Sequence, residues 1–208
     1  VENKTKETEQ FKSITSKKTW CAVSTHANEE DLCGKVHGII KESAGDVLTI
    51  IIPRHIHRVE TIYSNLRDLG FRVQVKKEKD PINSSSDVVL VNYYGAVSKY
   101  LKYFKQIFIG KSMLKKFENS GGQNPIDAAK MGCHIYHGPY VYNFREIYQF
   151  LDESKLSEEV RSPEVLADKL IKNFEIDLKT DNEKIKKLDI YSNKIFNDVI
   201  NEYNTFIK

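Results

Sequence analysis

Two kinds of segment alternate so regularly along this chain that few folds can accommodate it. Short runs rich in Val, Ile, Phe or Tyr, bounded by Gly, Pro or Ser, fall at residues 19–24, 47–53, 71–76, 87–92, 106–110 and 133–137. That is the signature of buried strands. Between them, residues 29–43 place Leu32, Val36, Ile39 and Ile40 on one helical face, and residues 55–69 do the same with Val59, Ile62, Tyr63, Leu66 and Leu69 before Gly70 ends the helix. Shorter helices are expected over 96–104 and 125–131. Alternation of this kind implies right-handed crossovers and an α/β, Rossmann-like parallel sheet of six strands with helices on both faces. In such sheets ligands bind outside the carboxyl ends of the strands, at the switch point of the strand order.

Beyond Gly138 the pattern turns helical, over 143–152, from Ser162-Pro163 to residue 174, and over 183–207. In the last segment Ile185, Leu188, Tyr191, Ile195, Val199, Tyr203 and Phe206 recur at three- and four-residue steps. This stripe either packs on its own domain or in part meets a further domain. The polar segments 78–86 (EKDPINSSS) and 115–120 (KKFENS) read as loops rather than boundaries, so residues 17–208 are expected to form one domain.

The 208-residue length and 40% hydrophobic content are ample for a packed core. Lys and Arg total 32 against 29 acids, a mixed surface of net charge +3 without the dense basic stripe of a nucleic-acid binder. Cys21, Cys33 and Cys133 are odd in number, lack C-x-x-C spacing and lie in or beside apolar runs, as reduced core thiols do. Neither disulfides nor structural zinc are expected. No segment approaches the roughly 18 continuous apolar residues of a membrane helix, and the polar opening VENKTKETEQFK lacks a signal-peptide core, so the chain is expected to be soluble. That opening begins with Val, and residues 1–16 are read as a flexible lead-in from a preceding domain.

The densest site signal is GGQNPIDAA, Gly121 to Ala129. A Gly pair followed by Asn, Pro and an acid turns a chain tightly, opens a helix and presents backbone donors to an anion. Asn124 suits the N-cap, Pro125 the first helical position, Ile126 follows, and Asp127 stands where an acid can reach back. The same residues also describe a well-made helix start and nothing more. Arg54, after Pro53 at the second strand's end, can grip a phosphate or be a solvated charge. Tyr94, Gly95 and Ala96 end the fourth strand, where Gly95 permits close backbone approach. Ser24, Thr25 and His26 close the first strand, but Glu29, Glu30 and Asp31 follow, complement the helix dipole and read as a cap that would repel an anion. No glycine-framed elbow surrounds Ser24, against a Ser-His nucleophile. His55 and His57 diverge at their spacing and read as solvent-facing, not as a metal pair.

Taken in order, WCAVSTHANEEDL (20–32), IIIPRHIHR (50–58), VLVNYYGAV (89–97), FIGKSM (108–113), GGQNPIDAA and GPYVYNFREI (138–147) resemble the donor-binding half of the 3-deoxy-D-manno-octulosonic acid (Kdo) transferases. The resemblance spans roughly residues 17 to 153. It implies the C-terminal half of a B-type glycosyltransferase that moves Kdo from CMP-Kdo to the lipid A precursor in lipopolysaccharide biosynthesis, at the cytoplasmic face of the inner membrane. By the same resemblance Pro53 and Arg54 contact CMP, Tyr94, Gly95 and Ala96 approach it, and Asn124, Pro125, Ile126 and Asp127 form the segment in which the acid holds the ribose hydroxyls. Two family glutamates are replaced, by Ala96 and Asp127, and the spacer between Ser112 and Gly121 is longer than the family's.

The catalytic base of these transferases is a glutamate of the N-terminal, acceptor-binding domain, which also meets the membrane. No catalytic residue, cofactor or metal is therefore expected in this chain, which should bind CMP-Kdo without turnover. Another nucleotide sugar in the same fold is an alternative. A non-catalytic nucleotide-sensing or receiver-like module is another, but it would require acids at the strand ends in place of Pro53-Arg54 and Gly121-Gly122.

Overall fold

The computed structural model describes Phe11, Ile14, residues 18–174, Glu183, residues 186–188, Ile190 and Tyr191. Its elements are β1 (Thr19–Thr25), α1 (Glu29–Ala44), β2 (Leu48–Pro53), a 3₁₀ turn (Ile56–Arg58) leading into α2 (Val59–Asp68), β3 (Val73–Lys76), β4 (Val88–Val91) and α3 (Ala96–Leu101). There follow β5 (Gln106–Ile109), a 3₁₀ turn (Lys115–Phe117), α4 (Ile126–Lys130), β6 (His134–His137), a 3₁₀ turn (Tyr142–Phe144), α5 (Arg145–Glu153), β7 (Ser157–Glu159) and α6 (Pro163–Phe174). Among the described residues all strands form one parallel sheet in the order β3-β4-β2-β1-β5-β6-β7.

The expected six strands are present, but the sheet has a seventh. β7, with the sequence Ser-Glu-Glu, offers no apolar alternation to a sequence reading and extends β6 through the register Ile135↔Ser157 to His137↔Glu159.

The pleat sends alternate side chains to two faces, each with its own core. Cys21, Val23, Ile50, Val89, Ile107 and Ile135 face α3, α4 and α5, whose Ala96, Tyr100, Ala128 and Tyr148 cover them. Trp20, Ala22, Ile51, Leu90, Phe108 and Tyr136 face α1, α2 and α6, which bring Val36, Ile40, Ile62, Leu66 and Leu170. Strands buried on both sides explain why they read as continuous apolar runs. The three cysteines are free and buried, and burial pushes the Cys133 thiol up to about 12, the behaviour of an inert core residue.

Most of the helix expected over 183–207 lies outside the described residues. Leu188 is buried in the core, and the Tyr191 ring stacks on Phe150 with centroids 4.2 Å apart. Of the lead-in expected over 1–16, Phe11 and Ile14 are described and both are buried; Phe11 stacks on Tyr103 at 4.4 Å. No described helix is long and apolar enough to cross a membrane.

Candidate functional site

The strand order reverses direction at β1, whose neighbours in the sheet are β2 on one side and β5 on the other. A crevice forms at such a point because the connections leave the two strands toward opposite faces. Both strands end abnormally here. Ser24 (φ 56) and Lys111 (φ 58) adopt the left-handed region although neither is glycine. Such backbone persists only where its surroundings hold it, and it collects at ligand sites. Ser24 is also a bulge: Val23 pairs with Ile52 and Thr25 with Pro53, so Ser24 is left over. Gly110 slides beneath this bulge, since a Cβ there would meet Thr25 Cα at 2.6 Å and Ser24 O at 2.7 Å.

The group that holds the crevice together is Glu29. Its side chain is fully buried, and its carboxylate accepts four backbone N–H groups. Oε2 takes Lys111 at 2.6 Å and His26 at 2.9 Å, while Oε1 takes Ser112 at 2.9 Å and Met113 at 3.1 Å. Burial raises the Glu29 pKa from the ordinary carboxylate value, and the four donors oppose that rise. Beside it, Glu30 is also buried; it accepts a bidentate pair from Arg58 at 2.9 Å each and the Thr25 hydroxyl at 2.9 Å. The acidic first turn is thus no solvated cap. Its two glutamates point inward and tie α1 to the β5 loop and to the turn before α2.

The sequence carries part of that role. Glu29, Cys33, Val36 and Ile40 are spaced i, i+4, i+7, i+11, so Glu29 continues the buried stripe of α1. What the spacing cannot supply is the partner, 82 residues away in sequence.

The sequence-predicted residues occupy the same edge. Pro53 is buried, and the backbone N–H of Arg54 donates to Thr25 O at 3.0 Å, fixing the strand end against the bulge. The Arg54 side chain is exposed, and among the described residues its guanidinium has no ion-pair partner. His55 and His57 are exposed, with rings 5.6 Å apart, and His55 lies 5.5 Å from the ring of His26. Among the described residues no group of three or more His, Cys, Asp or Glu side chains could hold a metal ion. Burial lowers the pKa of His26 from the ordinary imidazole value. Tyr94 is 77% exposed beyond β4, Gly95 takes φ +76, and Ala96 is buried as the first residue of α3.

Backbone hydrogen bonds anchor the Gly-Gly turn, and side chains hold its flanks, Asn143 Nδ2 donating to Ser120 O at 2.9 Å and the Tyr148 hydroxyl to Gln123 O at 3.0 Å. Gly122 N–H donates to Lys111 O at 2.8 Å, Gly121 N–H to Phe117 O at 2.6 Å, and Asn143 N–H to Gly121 O at 3.0 Å. The helix starts one residue later than expected, with the buried Pro125 at the N-cap and Ile126 as its first residue, and Asn124 Oδ1 accepts Ile126 N–H at 3.0 Å from just outside it. Asp127 does not reach back: its carboxylate is exposed and makes no hydrogen bond or ion pair among the described residues. α4 has five residues, so its dipole is small and any grip on an anion must come from the loop's own donors. α3 and α4 pack against each other, so the two helices that follow these loops share one face of the sheet. The long spacer folds over the start of α1, where Phe117 lies 5.6 Å from His26 and Lys116 Nζ donates to Ala27 O at 2.6 Å.

A cavity of about 340 Å³ opens beside this loop at the end of β6, between His137, Arg145 and Asp152. His137 is buried, with Nδ1 at 2.8 Å from Gly138 O and Nε2 at 3.1 Å from Asp152 Oδ1. Glu118, Glu153 and Glu159 also line it, a poor lining for an anion.

Fold and edge together define a Rossmann-like α/β domain whose strand order switches between β1 and β5. No family model matches the chain. It is 27% identical over 149 residues to the 3-deoxy-D-manno-octulosonic acid transferase of Aquifex aeolicus, covering 72% of this chain and 40% of that protein. The Haemophilus influenzae transferase is 26% identical over 143 residues (69% and 33%), and that of Rickettsia conorii 24% over 198 residues (93% and 42%). The chain is therefore a homologue of the Kdo transferases over most of its length, and it spans less than half of the length of these relatives. A solved structure, the C-terminal CMP-Kdo binding domain of WaaA from Acinetobacter baumannii, shares the fold with a TM-score of 0.68 at 17% identity, over 90% of this chain and 96% of that one.

Proposed function

We propose that this chain is the donor-nucleotide half of a Kdo transferase, binding CMP-Kdo at the carboxyl edge of its sheet. The observation that carries this reading is Arg54, an exposed cation with no described acidic partner, at the strand end beside the crevice of a chain homologous to Kdo transferases. A free guanidinium there supplies a charge-assisted, bidentate contact for the CMP phosphate. Tyr94 offers a ring beyond β4, Gly95 and Ala96 offer backbone, and Asn124, Pro125, Ile126 and Asp127 form the segment that meets the ribose. Asp127 suits that task because its carboxylate is exposed and not engaged among the described residues.

In the parent enzyme the acceptor hydroxyl of the lipid A precursor, deprotonated by a glutamate of the other half, attacks the anomeric carbon of Kdo while CMP departs. This half stabilises the leaving phosphate with Arg54 and backbone donors aimed at the developing charge. The acceptor and the cytoplasmic face of the inner membrane belong to the parent in this reading, and the isolated chain binds without turnover. Titrating the ¹⁵N-labelled chain with CMP, UDP and ADP tests it. Saturable shifts near Arg54 and Asn124–Asp127 are expected with CMP in preference to the others, at modest affinity because half of the cleft is missing. An equal or stronger response to UDP would remove the Kdo assignment and leave the fold intact.

A further inference from the structure

Glu29 is the acceptor at the centre of the crevice, and its connections do not stop at the amides it binds. The amides of Lys111, Ser112 and Met113 converge on its carboxylate. The carbonyls of the same turn point the other way. Lys111 O accepts Gly122 N–H at 2.8 Å, and Ser112 O accepts Tyr140 N–H at 2.9 Å. The Ser112 hydroxyl donates to Ile109 O at 2.7 Å and accepts Gly138 N–H at 2.9 Å. One buried carboxylate thus fixes a turn whose opposite side carries both the Gly121-Gly122 turn and the end of β6.

A set of converging N–H groups at a switch point is what an α/β fold commonly offers to a ligand's phosphate. Here the protein's own carboxylate fills it, with a donor on each side of each oxygen. An external anion is excluded from that nest, and the left-handed Lys111 that creates it is held in place. We propose that Glu29 is a positioning residue that sets Gly121–Asp127 where the nucleotide is met, acting as an internal anion in the phosphate nest of the fold. This rests on the reading of residues 121–127 as the nucleotide segment.

Glu29→Gln tests it at nearly constant shape. In either orientation the amide turns an NH₂ group toward two backbone donors, so two of the four bonds become donor against donor. Asp87→Asn is the control: Asp87 precedes β4 at the opposite edge and binds Arg72 and Lys41, far from the crevice in the topology, so its loss destabilises without touching the turn. The amide resonances of Gly121, Gly122, Asn124 and Ile126 should move in Glu29→Gln, and CMP affinity should fall about tenfold, the value of one charge-assisted contact. Asp87→Asn with a comparable drop in melting temperature should leave both nearly as in the wild type. Should Glu29→Gln fail to fold, Glu29→Asp keeps the charge but not the reach, and should give the same resonance shifts with a smaller affinity loss.

Unmoved resonances with unchanged affinity overturn the proposal. So does an equal effect of Asp87→Asn, which would make Glu29 a stabilising residue only. If the wild-type chain gives no response to CMP, the proposed function fails instead, and the resonances of 121–126 in the unliganded variants alone decide the role of Glu29.

Discussion

Gly121→Ala should be among the most damaging single-methyl substitutions in the chain. A Cβ at this position would lie 2.1 Å from Tyr140 O, 2.7 Å from Phe117 O and 2.9 Å from Lys111 O. All three are backbone atoms, so no rotamer change can make room. The first contact falls short of ordinary van der Waals separation by roughly 1 Å, which backbone displacement must supply. Overpacking of this kind costs about 1–3 kcal/mol. The same displacement breaks or stretches Gly121 N–H to Phe117 O and Asn143 N–H to Gly121 O, at about 1 kcal/mol each. The expected loss is about 3–5 kcal/mol, a large fraction of the about 5–15 kcal/mol that holds a domain folded. For a chain of this size that lowers the melting temperature by about 6–20 °C. Gly95→Ala is the internal comparison. Gly95 has φ +76, but a methyl added there would meet nothing within 4 Å, so only the left-handed penalty of about 1 kcal/mol applies. Thermal and urea unfolding of both variants, followed by circular dichroism, measure the difference. Equal, small shifts for the two would refute the reasoning from close backbone approach.

Arg54→Ala should weaken CMP binding about tenfold while leaving the melting curve unchanged, because an exposed guanidinium with no ion pair among the described residues contributes little to folding; an unchanged isotherm would return Arg54 to the solvated class. Asp127→Asn should weaken CMP more than a deoxycytidine analogue lacking the ribose hydroxyl, with little stability change since the carboxylate does not reach back to its helix; a wild-type ratio between the two ligands would remove the ribose contact. His37 should make the domain acid-labile. It is fully buried, its Nδ1 lies 2.9 Å from Thr49 Oγ1, and burial lowers its pKa to about 4. Because the folded value lies below the unfolded one, the stability is complete above about pH 6.5 and is lost as pH falls toward 4, by up to about 3 kcal/mol. His37→Leu should flatten that slope in urea midpoints measured at pH 7 and 4.5, and parallel curves for the two proteins would count against it.

The elements legible in the sequence are those whose physics is local. Strands buried on both faces announce themselves as apolar runs, the stripes on α1 and α2 fix their inward sides, and a parallel sheet then places every strand end along one edge. Pro53-Arg54, Tyr94–Ala96 and Asn124–Asp127 share that edge for this reason, before any contact is known. β7 is not legible because nothing in Ser-Glu-Glu prefers a strand; it is made one by the unpaired edge of β6. The two buried glutamates escape a sequence reading for a related reason. An acid in a first turn satisfies the helix dipole and a neighbouring amide, here His26 N–H, locally, which is explanation enough for a sequence, whereas the other three amides on Glu29 and the guanidinium on Glu30 come from elements assembled only in the fold.

The seventh strand has a consequence for how these molecules behave when crowded together. A parallel sheet has two open borders, and each is a template on which a strand of another copy can add. β7 makes one border three residues long and places Glu158 and Glu159 on it, with Arg161 and Lys169 paired to them. A second copy approaching that border would set its own Glu158 and Glu159 against the same charges and would find too few free backbone groups to compensate. The segment that looks least like a strand is thereby suited to keeping the sheet from growing into its neighbour, and replacing it with Val-Thr-Val would invite that growth.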